Sequence, residues 1–527
     1  MTGRVLAQAS ARAVGQVSAR AVGALLAGAL QALAMVPVSP GLWQGAPTAS
    51  PWQALPALLQ LASSIGLVHL LWTAARPREG GVSGFLFGLA WLTGTFWWLF
   101  ISMHRYGGLP AWMAALAVLA LAAFLALYTG AAAAAWVRWS GASAGRRIVA
   151  FAAWWCLAEW ARARWFTGFP WGAAGYAHVD GPLAGWAPYV GVYGLGAVAA
   201  ALAAALYAAA RLGLWRGGRG ALVAALLLVA VPQTLPQAFT SPGARLTVAL
   251  LQGNVPQEEK FESRYLYEAL SWHVQTLART DADLVVAPET AIPLLPDQLP
   301  PGLWEALVRR FGEGRQHALI GLPLGDERQG YTNAARGLGP EGDGYRYDKH
   351  HLVPFGEFIP FGFRWFVRLM DIPLGDFDRG PLAAPSWPVR GARIGPNICY
   401  EDLYGEELAA RFVDPATAPT VLANLSNIGW FGPTVAVGQH LQIARMRSLE
   451  LQRPTVRATN TGATAVIDHT GRVTAALAPY TVGVLKTEVQ GREGVTPYAW
   501  WAGRFGLWPL VLVAVAAALA SALWRRR

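Results

Sequence analysis

Cysteine is almost absent from this 527-residue chain, which has only Cys156 and Cys399. Two cysteines exclude a disulfide-stapled scaffold and a multi-cysteine metal centre. The nine histidines offer no His-x-x-x-His spacing and His350 and His351 are adjacent, so no metal site is expected. Lysine is nearly as scarce: Lys260, Lys349 and Lys486 stand alone among 42 basic residues. Charged residues make up 14% of the chain and hydrophobic ones 54%, too apolar a balance for an ordinary soluble globular protein.

What the chain has instead is long apolar runs. Seven lie near 21–38, 55–74, 83–103, 110–137, 148–166, 184–210 and 219–236, and an eighth lies near 506–524. A hydrocarbon core of ~30 Å needs about 18 apolar residues or more, so each is expected to span a bilayer. The run 148–166 contains Glu159, and 219–236 is short and holds Pro232. The expected organisation is a membrane domain over 1–240, a polar domain over 241–500, and a last span with a basic tail over 501–527. Arginine placement orients it. Arg4, Arg12 and Arg20 precede the first run, Arg76 and Arg78 follow the second, and Arg138, Arg146 and Arg147 follow the fourth. Arg211, Arg216 and Arg219 follow the sixth, and Arg525, Arg526 and Arg527 close the chain, whereas the alternate loops hold only Arg105, Arg162 and Arg164. Both termini are therefore expected in the cytoplasm. Seven spans then carry 241–500 to the outside, which in a bacterium is the periplasmic face of the inner membrane. The net charge of +11 is accounted for by this asymmetry and points to no nucleic-acid partner. Ala32-Leu33-Ala34 mimics a signal-peptide cleavage site, but the apolar run continues past it. Cys156 falls in the fifth run and Cys399 in the polar segment, so no disulfide between them is expected.

The polar segment alternates strand-like and helix-like stretches. Strands are expected over Arg245–Gln252, Ala282–Pro288, His317–Leu324, Ala392–Cys399, Thr420–Ser426, Val456–Thr459, Ala463–Asp468 and Val482–Val489. A hairpin is expected from Tyr331–Leu338 and the tract around Tyr345. Helices are expected over Glu262–Thr280, Glu406–Phe412 and Gly438–Gln452. This alternation indicates an α/β domain.

Three residues stand at or just beyond such apolar strands: Glu289 in A-P-E-T, Lys349 in Y-D-K-H-H-L-V-P-F-G-E, and Cys399 in N-I-C-Y-E-D. A cysteine nucleophile needs a base for its proton and a cation for the thiolate and the later oxyanion. Glu289, Lys349 and Cys399 are the residue types for those roles, with the Tyr400 backbone N–H as a second oxyanion donor.

These motifs in this order resemble the nitrilase superfamily. With the apolar runs, L-Q-G-N-V-P-Q at Leu251–Gln257, H-L-V-P-F-G-E at His351–Glu357 and R-P-T-V-R-A-T-N-T-G at Arg453–Gly462, the chain is similar to its membrane-embedded branch, the apolipoprotein N-acyltransferases. The resemblance implies a multi-pass α-helical membrane domain plus an α/β nitrilase-like αββα sandwich. It implies catalytic Glu289, Lys349 and Cys399, with Glu357 and Glu401 in support, and no cofactor. It further implies ping-pong acyl transfer from a membrane phospholipid, phosphatidylethanolamine in the family, to the N-terminal diacylglyceryl-cysteine of an apolipoprotein. Phe361, Phe363, Trp365 and Phe366 lie in an aromatic tract over 358–377 that is expected to lie over the site at the headgroup boundary. Phe261, Trp430 and Phe431 are expected to line the lipid pocket. Two departures stand out: Phe261 follows Lys260 where the family often has tryptophan, and Ile428 replaces an aspartate in N-D-x-W-F-G. Thr167–Tyr176 resembles a loop beneath the catalytic domain, and Glu159 and Arg162 are spaced as an i,i+3 pair.

Two other readings compete. A membrane-anchored nitrilase-like amidase acting on small molecules needs one span, not eight. A transporter needs broken spans in paired halves and midplane charges.

The expected topology is tested with Gly339→Cys and Ser143→Cys and a membrane-impermeant thiol reagent. The probe at 339 should label from the periplasmic side and the probe at 143 only after permeabilisation. The reverse pattern would overturn the orientation.

Overall fold

The computed structural model describes residues 2–37, 51–213, 215, 218–257, 263–328, 330–340, 342–368 and 376–523. Among the described residues each of the eight apolar runs is largely helical. They form α1 (Thr2–Ala34), α2 (Leu55–Trp72), α3 (Pro77–Phe96), a short α4 (Leu99–Ile101), α5 (Ala111–Trp139), α6 (Ala144–Arg164), α7 (Ala187–Leu212), α8 (Gly218–Thr234) and, at the far end of the chain, a helix over Trp508–Leu523. Among the described residues, length and apolarity qualify Trp52–Trp72, Ala111–Trp139 and Ala184–Leu212 as single spans. Pro77–Phe96 with Leu99–Tyr106, bent by 61°, and Pro497–Phe505 with Trp508–Leu523, bent by 92°, qualify only as pairs. Ser18–Ala34 and Gly218–Thr234 are shorter apolar helices.

The third run was expected to be continuous, and it is broken. The Thr95 carbonyl accepts from the side chains of Trp98 and Gln439. Phe100 and Ile101 turn back to Trp97 and Trp98 in three-residue bonds, and a π-helical turn follows over Ser102–Tyr106. A second break lies near the start of α7. Gly191 has φ +66° and ψ −177°, and the Val192 N–H that it frees donates to Glu450. Glu159 and Arg162 in α6 are both buried, 3.9 Å apart. Glu159 also accepts the Ala174 N–H, and Arg162 donates to the Phe169 and Trp171 carbonyls at 2.8 Å each. The pair thus pins the 167–176 loop.

The polar domain begins with β1 (Thr240–Gln252), α9 (Ser263–Arg279), β2 (Leu284–Val286), α10 (Leu303–Gly312), β3 (His317–Asp326), β4 (Gly330–Gly339) and β5 (Gly342–Asp348). It continues through α11 (Arg364–Val367), β6 (Trp387–Val389), β7 (Ala392–Ile398), α12 (Gly405–Ala409), β8 (Val421–Ser426) and α13 (Ala436–Leu451). It ends with β9 (Thr455–Thr459), β10 (Ala465–Ile467), β11 (Val473–Ala476), β12 (Gly483–Gly494) and α14 (Pro497–Phe505), after which Trp508–Leu523 is α15. The strands make two six-stranded sheets, ordered β12-β1-β2-β3-β4-β5 and β11-β10-β9-β8-β7-β6. β1-β2-β3 and β7-β8-β9 are parallel cores with antiparallel flanks.

Alternation along each strand builds the layers. Leu246, Val248 and Leu250 of β1 meet Ile394, Val421, Ala423 and Val456 of the other sheet in a core between sheets. The intervening Ala249 and Leu251 face Leu270 and Leu277 of α9 and Leu307 and Phe311 of α10. On the far side of the second sheet, Leu422 packs with Leu408, Leu451, Tyr498 and Ala502 of α12, α13 and α14. The result is an αββα sandwich. Its last helical layer has no separate surface, because Tyr404, Leu441 and Met446 share one core with Phe87, Trp91 and Trp155 of the bundle. Sequence reasoning missed β6 and β11, three- and four-residue edge strands too short to show alternation, and also α10 and α14.

Gly191 tests the break in α7. Its conformation is one that only glycine adopts readily, and an added Cβ would lie 2.3 Å from the Tyr498 ring. Gly191→Ala should lower stability by about 2 kcal/mol or more, read as a fall of several degrees in the melting temperature of the solubilised protein. An unchanged melting temperature would contradict the packing.

Candidate active site

The two sheets bring Glu289, Lys349 and Cys399 to one end of the sandwich. Glu289 follows β2 and Lys349 follows β5 in the first sheet, and Cys399 follows β7 in the second. Lys349 prolongs the β5 ladder: its N–H donates to the Asn333 carbonyl, and its own carbonyl accepts the Gly380 N–H. Its side chain is fully buried. The ammonium lies 2.9 Å from Glu357 Oε1 and 3.4 Å from Glu289 Oε1. Asn333 Nδ2 donates to the same two oxygens, at 2.6 and 2.8 Å. Two carboxylates and two donors thus form a closed square. Glu289 Oε2 accepts the Asn427 N–H at 2.9 Å, and Glu357 Oε2 accepts the Val353 N–H at 2.8 Å. Every carboxylate oxygen in the cluster has a partner, as burial demands.

Cys399 is the first residue of a 3₁₀ turn that runs to Leu403, and its φ is +51°. A left-handed non-glycine residue is strained by about 1–2 kcal/mol and needs outside support. Burial and the Glu289 charge push the Cys399 thiol up to about 12, against the pull of the Lys349 ammonium. At neutral pH it is therefore a thiol that needs a base, rather than a preformed thiolate. Burial alone would lower the Lys349 pKa, but the Glu357 and Glu289 charges outweigh it and raise the value, so the ammonium is permanent. A thiol, a carboxylate and a fixed cation in one water-poor corner can support nucleophilic acyl chemistry.

The supporting residues fall close by. Glu401 joins the two sheet ends: Oε1 accepts the N–H groups of His350 and His351, and Oε2 accepts those of Ile398 and the Tyr347 hydroxyl. It ties the backbone beside Lys349 to the backbone beside Cys399. Burial raises its pKa despite these four donors. Tyr400 is buried, its ring stacked near Phe169 of the 167–176 loop.

The residues expected to meet lipid divide. Phe431 packs against Trp98 and Trp171, and Trp430 meets Tyr106, so both lie where the sandwich meets the bundle. Phe366 packs with Leu109, Met113 and Phe355 at the start of α5. Trp365 is 62% exposed and Phe361 is fully exposed. Phe261 lies outside the described residues. Ile428 is buried in the core shared with the bundle.

Sequence reasoning missed Asn333, Asn427, Asn424, His440, Asp402 and Arg457, all buried at this end of the sandwich. Asn427 and Arg457 sit inside motifs already quoted. Asn333 is one polar residue in a strand, and only its two carboxylate partners reveal it.

A helical bundle fused to a two-sheet sandwich with this site places the chain in a defined class, a carbon–nitrogen hydrolase domain carried on a membrane domain. Residues 247–498 match the carbon-nitrogen hydrolase model, and residues 27–206 match the apolipoprotein N-acyltransferase N-terminal domain. The chain is 53% identical to an apolipoprotein N-acyltransferase of Verminephrobacter eiseniae, over 89% of this chain and 92% of that one. It is 48% identical to one of Ralstonia nicotianae, over 89% and 90%. A counterpart in Neisseria meningitidis serogroup B is 37% identical over 81% and 86%. The chain belongs to the apolipoprotein N-acyltransferase family.

Lys349→Met removes the cation that pulls the thiol pKa down. Alkylation of Cys399 by iodoacetamide at pH 8 should slow, and acyl transfer should fall by about 100-fold or more, with the helical circular dichroism unchanged. Lys349→Arg should fail as well, because a planar fork does not fit a square built around one Nζ. Wild-type rates in Lys349→Met would remove the lysine from the chemistry.

Proposed function

We propose that the chain transfers an acyl chain from a membrane phospholipid, through a thioester on Cys399, to the α-amino group of a lipoprotein's N-terminal diacylglyceryl-cysteine. The observation that carries this reading is the closed Glu289–Lys349–Glu357–Asn333 square beside a strained cysteine, at the end of the sandwich that meets the bundle. An amidase acting on small molecules gains nothing from that placement. The family relatives named above likewise favour lipoprotein N-acylation.

In the first half-reaction Glu289 takes the thiol proton as Sγ attacks the donor ester carbonyl. The oxyanion is held by Lys349 and the Tyr400 N–H. Collapse expels the glycerol oxygen, which takes the proton from Glu289 and leaves as lysophospholipid. In the second, the acceptor amine attacks the thioester carbonyl, Glu289 takes its proton, and the Cys399 thiolate leaves and is reprotonated. Free α-amino groups have pKa values near 7.7–8.0, so enough neutral amine is present without a strong base. Glu357 holds Lys349 in place and Glu401 keeps the two sheet ends in register. Phosphatidylethanolamine serves as donor. The sandwich faces the periplasm, both termini lie in the cytoplasm, and the exposed Phe361 and Trp365 sit at the outer headgroup layer. Exclusion of bulk water protects the thioester.

Incubating the purified protein with phospholipid alone should add one acyl mass, removable by neutral hydroxylamine. Cys399→Ala should show no adduct, and Cys399→Ser should be nearly inactive, because an alkoxide is far harder to form than a thiolate. An adduct that survives in Cys399→Ala would sink the assignment.

A further inference from the structure

A peptide unit is planar and trans, so the Cys399 carbonyl and the Tyr400 N–H point in opposite directions from one rigid plate. Whatever grips that oxygen aims that hydrogen. The grip comes from α13 and β8: His440 Nε2 lies 3.2 Å from the Cys399 oxygen and Asn424 Nδ2 lies 3.5 Å from it. The other ring nitrogen, His440 Nδ1, lies 2.7 Å from Arg457 Nη2. A guanidinium can only donate, so Nδ1 must accept, and the single proton of a neutral ring sits on Nε2. There it can donate to the Cys399 oxygen. Arg457 is held in turn by Asp402 Oδ2 at 2.8 Å, and the three side chains are only 1–2% exposed. Burial, then the Arg457 charge, hold the imidazole pKa well below its usual value. The ring is therefore a fixed neutral donor. Trp171 of the 167–176 loop covers its face, with ring centroids 5.6 Å apart.

A hydrocarbon of the same volume would fill this space at lower cost than a buried ion pair and an imidazole. The arrangement makes sense if the donor is needed. The strained Cys399 turn also requires some external hold on its peptide, and this is one.

We propose that His440, its tautomer set by Arg457 and Asp402, is a positioning residue that aims the Tyr400 N–H at the oxyanion of acyl transfer. The proposal rests on the assignment of Cys399 as nucleophile and the Tyr400 N–H as oxyanion donor. It predicts a specific split. Attack on an ester develops an oxyanion, whereas alkylation of the same thiol by iodoacetamide develops none. Loss of the aim should slow the first and spare the second. It should also lower kcat without changing KM, because the interaction exists only in the transition state.

The test uses the full chain in detergent micelles with phospholipid as acyl donor, reading the acylation rate by intact mass, the alkylation rate and the melting temperature. His440→Leu should acylate roughly 30–100-fold more slowly at unchanged KM, somewhat less than the loss of an oxyanion donor itself, with alkylation within about twofold of wild type. His440→Gln can present an amide N–H near the Nε2 position and should recover to within about fivefold, whereas the shorter His440→Asn should stay slow. Wild-type acylation in His440→Leu would overturn the proposal. So would a parallel loss of acylation and alkylation, which would make His440 a packing residue. If His440→Leu does not fold, equal rates for the Gln and Asn variants overturn it. An acyl adduct persisting in Cys399→Ala would instead mean that the nucleophile is misassigned, an outcome that these variants do not produce.

Discussion

Among the described residues two helices of the bundle, α3 and α7, are broken, and a single helix of the other domain reaches the polar groups at both breaks. Gln439 donates to the Thr95 carbonyl and accepts from the indole N–H groups of Trp98 and Trp171. Gln442 donates to the Tyr176 carbonyl, and Glu450 accepts the Val192 N–H. Positions 439, 442, 446 and 450 follow the helical repeat and lie along one side of α13. An unanswered backbone group in an apolar setting costs several kcal/mol, so these bonds fix where the sandwich can sit. The adjacent residue, His440, turns to the Cys399 peptide instead. One helix therefore touches both the breaks of the bundle and the Cys399 peptide.

The electrostatics of the site follow from the same burial. A cysteine in an exposed, electropositive turn would be a thiolate at rest and open to oxidation. Here burial and the Glu289 charge keep the sulfur protonated, and the Lys349 ammonium is held by two carboxylates. The sulfur therefore stays a thiol until a base takes its proton.

Much of this was legible in the sequence. The eight apolar runs are long and the stretches before Glu289 and Cys399 are apolar, so the presence of helices and strands there was plain, but their bounds were not: β2 is only Leu284–Val286 and the third run is broken. Glu289, Lys349 and Cys399 stood out because an acid, a cation and a thiol are visible residue types and each follows a strand, and the structure brings them to one end of the sandwich. Glu357 and Glu401 were reached by resemblance alone. Asn333 and His440 were hidden for a physical reason: each acts through partners distant in sequence, and neither residue type is unusual where it stands. The breaks in α3 and α7 were hidden likewise. Thr95 and Gly191 lie in largely apolar text, and the distant partners that meet the breaks, Gln439 and Glu450, are beyond a local window. The short edge strands β6 and β11 lacked enough residues to display a period.

The breaks carry a consequence for how the protein is made. The bond from Gln439 to Thr95 joins residues 344 positions apart, and that from Glu450 to Val192 joins residues 258 apart. A ribosome adds about 5–20 residues per second, so many seconds separate the synthesis of each broken helix from that of its partner. During that interval the Thr95 carbonyl has the Trp98 indole but not Gln439, and the Val192 N–H lacks Glu450. Those helices must be held straight, wetted or shielded until α13 arrives. Late completion of the sandwich is thus also the step that locks the bundle, and a chain cut short before residue 436 leaves behind a membrane domain that lacks its own last hydrogen-bond partners.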